Sequence, residues 1–372
     1  MVTFRFFELL HIALKHKDKF SQNPTEKEWR ELFILCKEQA LIGIAYKAIE
    51  RLPLQQRPPK NILLQWCLSA ENIKSRNAQL DEKILNISQK FYTDGFDNIV
   101  LKGQSVAQYY KLDNLHQYRT PGDVDIWLFG KRVDIISYVQ QYKPTCNIVY
   151  HHIDFPNIDD VEVEIHFTPS WMNNYFTNSK LQNYFHRCGE ILFSKARTGD
   201  TMLPTLTLSF DRVYILVHIY RHLFHSGVGL KQLLDYYYVL KQGFTEDERK
   251  ETMRVLSSLK MQRFAGAVMW VLQYVFGLED QYLLVSPDEK EGRFLLDEIM
   301  LAGNMGQYDK RINRAKNKSQ VGRFVRNVKR NFRFVRSYPS EVLWSPVFKI
   351  WHFFWRKAYA FNINNLKLSL CK

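Results

Sequence analysis

Two aspartates one residue apart, Asp123 and Asp125, stand in the apolar run Asp123-Val124-Asp125-Ile126-Trp127-Leu128-Phe129. On a β-strand successive side chains alternate faces, so the two carboxylates share one side while Val124 and Ile126 enter a core. Like charges held this close are unfavourable unless a cation lies between them, and Mg2+ (or Mn2+) is the usual oxygen-liganded ion for chemistry on phosphates. A DxD pair alone more often describes a solvated surface. A second segment shifts the balance: in VEVEIHF, Val161, Val163, Ile165 and Phe167 alternate with Glu162, Glu164 and His166. Taken alone this is an amphipathic edge strand. If it neighbours the Asp123 strand, Glu164 completes a three-carboxylate cradle for two metal ions about 3.5–4 Å apart, the spacing used for in-line displacement at phosphorus. Glu162, on the same face, is the fallback for the third acid.

Upstream, Leu101-Lys102-Gly103-Gln104-Ser105 reads as a strand, a glycine turn and a helix start. Such a junction offers a triphosphate close backbone approach, free N–H groups and a hydroxyl, and Lys102 and Arg119 add positive charge. Each feature has a plain alternative in an ordinary tight turn or a surface lysine; their combination favours phosphate binding. Further on, His218, His222 and His225 fall at i, i+4 and i+7 of a helical stretch. With no clustered cysteine or acid to complete a zinc site, a structural or substrate-contacting role is the better reading.

The elements that must position these groups follow from periodicity. Residues 1–93 read as helices, with a capping box at Thr25 and Glu28, a break at residues 57–60, and a long helix over 61–92 stopped by Asp94-Gly95. Residues 94–200 read as α/β: a strand at 98–101, a helix start at 105–110, a strand at 123–129, a helix at 131–142, then strands at 148–155 and 161–167 joined by the turn-rich segment 156–160. Residues 201–300 are helical again, with helices near 209–225, 229–242, 246–260 and 262–277 and a second capping box at Thr245 and Glu248. Residues 301–372 form a basic aromatic tail in which Lys310, Arg311, Arg314, Lys316, Lys318, Arg323, Arg326, Lys329, Arg330, Arg333 and Arg336 interleave with Phe324, Phe332 and Phe334. That tail suits RNA or an anionic surface, and equally a solvated basic helix.

Bulk properties narrow the class. With 46% hydrophobic residues the 372-residue chain can build a sizeable core, and a formal net charge of +14 favours anionic partners without choosing among nucleotides, nucleic acid and lipid. The five scattered cysteines contain no CxxC pair, which fits a reducing compartment. Arg5, Glu8 and Lys15 interrupt the apolar N-terminus, and the most apolar stretch, residues 264–278, is shorter than the ~20 residues of a spanning helix. A cytoplasmic protein with no transmembrane segment is the expectation.

Four segments in order, LKGQSVAQYY, YRTPGDVDIWL, VEVEIHF and HIYRHLFHSGVGLKQLLDYYYVL, resemble the bacterial nucleotidyltransferase family described as uncharacterised, a branch of the polymerase-β-like superfamily. The resemblance covers roughly residues 30–270. It implies an α+β fold, a small mixed-sheet core flanked by helical regions. It places the family's Lys-Gly turn on Lys102 and Gly103, its arginine on Arg119, its DxD on Asp123 and Asp125, and its acid-x-His strand on Glu164 and His166. A basic residue and an aspartate typical of the family fall on Lys231 and Asp235, which contact the nucleotide or merely pair within their helix. Implied with it are Mg2+ or Mn2+ bound by Asp123, Asp125 and Glu164, and an NTP substrate whose phosphates meet Lys102, Gly103, Ser105 and Arg119. The reaction is NMP transfer with pyrophosphate release to an acceptor that the sequence leaves open among RNA, protein, a sugar and a small molecule. The alternative is a non-catalytic protein of the same fold that binds RNA or an anionic surface through its basic tail. The chain departs from the wider superfamily in the long gap from Gly103 to Asp123, in Gln104 between glycine and serine, and in a glutamate as third acid.

Overall fold

The computed structural model describes residues 2–196, 206–311 and 320–370. Helices α1 (Val2–Ala13), α2 (Glu26–Glu38), α3 (Ile42–Arg51) and α4 (Lys60–Thr93) open the chain. The capping box at the start of α2 forms as expected, with the Thr25 hydroxyl accepting from the Glu28 N–H and the Glu28 carboxylate accepting from the Thr25 N–H.

The α/β part then runs β1 (Asn98–Val100), α5 (Gln104–Ala107), β2 (Val124–Leu128), α6 (Arg132–Tyr142), β3 (His152–Ile158) and β4 (Val161–His166). The strands form one mixed sheet in the order β1-β2-β4-β3, with β2 and β4 parallel and both outer pairs antiparallel. One face of the sheet is sealed by the alternating apolar residues read from the sequence: Val124 and Ile126 of β2 join Val161, Val163 and Ile165 of β4 in a core with α6 and the second half of α4. The opposite face sends Trp127 into a second core shared with the flanking helices.

Helices α7 (Tyr175–Ala196), α8 (Leu208–His225), α9 (Leu230–Lys241), α10 (Glu246–Ser258), α11 (Gln262–Phe276), α12 (Glu289–Ala302), α13 (Gln320–Phe332) and α14 (Pro339–Leu370) follow. The Thr245 capping box also forms. The protein is thus α+β, a small mixed sheet flanked by helical regions. No described helix is long and apolar enough to cross a membrane. Of the basic tail, Arg314, Lys316 and Lys318 lie outside the described residues.

Three details differ from the sequence reading. The helix expected over 105–110 is α proper only to Ala107 and then tightens into 3-10 turns through Asp113. The strand expected over 148–155 starts at His152 and runs on to Ile158. Pro156 is accommodated because β3 is an edge strand and its register shifts between Phe155 and Ile158, where a missing N–H breaks no regular ladder. Third, α7 and α12 had no counterpart in the sequence reading.

Candidate active site

The parallel pairing of β2 with β4 sets Asp125 directly opposite Glu164, so the condition on which the third acid depended is met. Asp123 immediately precedes β2. The Lys102 ammonium, at the end of β1, sits 2.9 Å from Asp123 Oδ2 and 3.0 Å from Asp125 Oδ2. The second of these contacts is Coulombic rather than directional, because Asp125 Oδ2 is buried and accepts no hydrogen bond. On the other side, His166 Nε2 approaches Asp125 Oδ1 at 2.8 Å and Glu164 Oε2 at 3.4 Å. His152 Nδ1, from β3, lies 3.0 Å from the same Glu164 oxygen.

Electrostatics follow from this chain of alternating charge. Burial disfavours the Lys102 ammonium, but Asp123, Asp125 and Glu164 outweigh it and raise its pKa above the ordinary value. Burial likewise pushes Asp123 up, and Lys102 overrides it to hold the carboxyl below the usual range. For His166 burial acts downward, yet its hydrogen bonds to Asp125 and Glu164 win and lift it to about 9. His152, buried beside His166 and Arg221, is pulled down to about 2. Glu164 is raised, chiefly by burial. The site therefore holds two protein cations, Lys102 and His166, on either side of Asp125.

A divalent ion fits this set. Oxygens of Asp125 and Glu164 lie within 4.8 Å of one another and of His166, which in its protonated form orients them rather than ligating an ion, and His151, His152 and Glu164 form a second group of that spacing. The Asp125 oxygen without a hydrogen bond supplies an open lone pair at the centre. Asp123 belongs to neither group; Lys102 stands between it and Asp125. Glu162 is exposed and lines, with Asp123, a cavity of about 830 Å³ between α4 and the β3–β4 turn. Glu164, opposite Asp125, is the better placed of the two acids.

The Lys102-Gly103 turn calls for glycine through its backbone conformation. Gly103 has φ +68, a conformation that side-chain-bearing residues rarely adopt, and a Cβ there would stand 3.6 Å from the Asp123 carbonyl oxygen. Ser105 is buried in the single turn of α5. Gln104, which separates glycine from serine, donates to Asp81 Oδ1 at 2.7 Å and to Asn77 Oδ1 at 3.3 Å, tying the turn to α4. Asn77 in turn donates to the carbonyls of Gln117 and Arg119. The segment leading into Asp123 is thereby fixed from the same helix.

Arg119 commits most of its donors to Asp235. Its Nε and Nη2 donate to Asp235 Oδ1 and Oδ2 at 2.6 and 2.8 Å, and Tyr110 Oη donates to the same carboxylate at 2.7 Å. Nη1 alone is left without a partner. The intrahelical pairing of Lys231 with Asp235 does not form, because Asp235 is taken by Arg119. Lys231 instead lies by the DxD segment, its Nζ 3.5 Å from the position of a Gly122 Cβ, and burial together with Arg119 lowers its pKa to about 7.

The three α8 histidines do not converge on an ion. His218 and His222 pack ring to ring at 4.3 Å, His222 Nδ1 pairs with Ser226 Oγ at 2.7 Å, and His225 packs on Trp171 at 5.3 Å. Burial holds all three well below the ordinary histidine value. Residues that the sequence reading missed are His151, His152, Trp171 and Arg221. The doubled histidine at the start of β3 and the arginine within HIYRH were the available signals, and neither has a spacing that implies the contact.

The fold and site thus define an α+β protein whose small mixed sheet carries carboxylates on two adjacent parallel strands beside a glycine turn. The model of the family described as uncharacterised nucleotidyltransferase matches residues 25–277, and the chain belongs to that family. Neither the curated proteins nor the solved structures contain a match.

Proposed function

We propose that the chain transfers a nucleoside monophosphate from an NTP to an acceptor, with release of pyrophosphate. The observation that carries this reading is the register of Asp125 against Glu164 on parallel strands, next to the Lys102-Gly103 turn. Asp125 and Glu164, with Asp123 entering as Lys102 withdraws, are the residues that would hold Mg2+ or Mn2+. The ion supplies charge neutralisation at the phosphorus and a lowered acceptor pKa. Lys102 is then free to meet the triphosphate together with the backbone N–H groups of the Gly103 turn and Ser105. Lys231, poised to gain a proton beside an anion, adds a second cation on the α9 side. Arg119 acts mainly by holding Asp235 and the segment ahead of Asp123, with Nη1 as its one donor toward a phosphate. His166 fixes the Asp125 and Glu164 carboxylates in position. The 830 Å³ cavity adjoins this site at Gly122 and Asp123, while Lys102, Asp125 and Glu164 lie outside its lining.

A non-catalytic reading has one observation in its favour: Lys102 and His166 already neutralise the carboxylates without an ion. Pyrophosphate release from ATP, CTP, GTP and UTP with Mg2+ or Mn2+, wild type against Asp125→Ala, separates the two. Transfer predicts release that the variant lacks. No release with any NTP across a broad acceptor screen, together with no thermal shift by Mg-NTP, refutes it.

A further inference from the structure

Beyond the carboxylates, a group of buried nitrogen donors has no acceptor within the protein. Trp171 Nε1, Arg221 Nε, Lys349 Nζ, His225 Nε2 and His151 Nδ1 are all buried without a hydrogen-bond partner. The first three are donors only. Four of these residues meet at one indole, and Lys349 lies within electrostatic reach of His225. The Trp171 ring lies 3.9 Å from the His151 ring and 5.3 Å from that of His225, and the Arg221 guanidinium sits 4.2 Å over it. Phe348, the residue before Lys349, stacks on Trp171 at 6.1 Å.

No described carboxylate forms an ion pair with Arg221 or Lys349. Arg221 Nη1 and Nη2 meet only imidazole nitrogens, of His151 at 3.4 Å and His222 at 3.2 Å. Lys349 has Arg330 rather than a carboxylate near it, and burial with that arginine draws it down to about 8. A buried donor without an acceptor is unfavourable, and more so when it is charged. A fold can carry one such defect; several near one ring make a set of donors chemically suited to an oxyanion.

We infer that this cluster, walled by α8, α14 and the segment after β4, binds a phosphate group carried by the acceptor. That the anion belongs to the acceptor, rather than to the NTP, rests on the proposed transfer reaction and on sheet order. The Lys102-Gly103 turn follows β1 at one edge of the sheet, and His151 precedes β3 at the other, with the carboxylates of β2 and β4 between them. In-line displacement brings the attacking group and the departing pyrophosphate to opposite sides of the phosphorus. With the β and γ phosphates at the β1 turn, the acceptor enters from the β3 edge, where the donors wait.

Calorimetry and thermal shift with inorganic phosphate on the full chain test this, with and without Mg2+ and α,β-methylene-ATP. The expected result is saturable phosphate binding that persists beside the nucleotide analogue. Lys349→Met weakens phosphate at least tenfold and raises the Tm without phosphate, because an unpaired buried ammonium is gone. Trp171→Phe, which deletes only the indole N–H side of the ring system, weakens phosphate severalfold. Both variants bind the analogue as wild type does. Displacement of phosphate by glucose 6-phosphate identifies a monoester acceptor, and displacement by a short unphosphorylated RNA a backbone diester; either supports the site. Absent phosphate binding, or binding unmoved by both variants, overturns it. Competition between phosphate and the analogue overturns the acceptor assignment. Phosphate binding intact with no binding of the analogue overturns the transfer reading and leaves the oxyanion site standing.

Discussion

Asp235→Asn tests whether the segment entering Asp123 is held by a buried ion pair. The Arg119 and Asp235 side chains are 5% and 8% exposed and pair through two short contacts, 2.6 and 2.8 Å. The substitution keeps the shape but removes the charge, leaves Arg119 buried without a counter-ion, and turns one carboxylate oxygen into an NH2 group facing the guanidinium. Removing one partner of such a pair costs about 3–5 kcal/mol. Tyr110 can still donate to the remaining amide oxygen, so its contribution, about 1.5–3 kcal/mol for a bond to a charged group, is reduced rather than lost. A net loss of about 4 kcal/mol follows. Equilibrium urea unfolding followed by far-UV circular dichroism measures it, and Mg-ATP binding to the folded variant should weaken in parallel. The double variant Arg119→Met/Asp235→Leu should recover much of the stability, since the desolvation penalty disappears with both charges. A loss under about 1 kcal/mol, or a double variant as unstable as the single, refutes the reasoning.

Lys102→Met should bind Mn2+ about tenfold more tightly than wild type without nucleotide, because the ammonium between Asp123 and Asp125 no longer competes, while losing NTP binding; electron paramagnetic resonance titration of free Mn2+ reads the first effect. Asn77→Ala releases the carbonyls of Gln117 and Arg119 and should cost about 1–3 kcal/mol, read by chemical denaturation. Asp211 is buried, with one oxygen unpaired and the other accepting from Tyr109, and burial raises its carboxyl from 3.8 to about 7. Its folded state holds a proton that the unfolded chain releases, so this contribution is fully present below pH 3.8 and is lost as pH rises through about 7. The gap corresponds to about 4 kcal/mol, so Asp211→Asn should gain stability over wild type at pH 8 and little at pH 4, as Tm against pH will show.

What was legible in the sequence was whatever a local period or cap dictates. The clean alternation of VEVEIHF placed Val161, Val163 and Ile165 in a core and Glu164 on the site face, and the structure agrees. The Thr25 and Thr245 capping boxes marked two helix starts within a residue. The end of β3 was misplaced because Pro156 reads as a turn residue, and only the edge position of the strand makes it tolerable there. The partner of Arg119 was not legible at all. Asp235 lies 116 residues away, and a helical i, i+4 spacing offered Lys231 as its obvious mate. The same holds for Arg221, whose imidazole contact with His151 spans 70 residues.

The charge pattern of the site also bears on why its polar residues are so deeply set. Asp125 is almost wholly buried, and a buried carboxylate persists only where cations compensate it. Lys102 approaches it from the β1 side and His166 from the β4 side, so the folded chain is balanced before any ligand arrives. The two are not equivalent. Lys102 rides on a long flexible stem and also touches the more exposed Asp123, whereas His166 is confined within β4, its Nε2 bonded to Asp125 and its Nδ1 to the Thr168 carbonyl. On the transfer reading, an arriving ion exchanges with the lysine and leaves the histidine in place. Lys102 is then delivered to the phosphates at the same moment that Asp123 and Asp125 are freed. Metal binding and triphosphate binding thus become one coupled event, which predicts that each strengthens the other by the same factor.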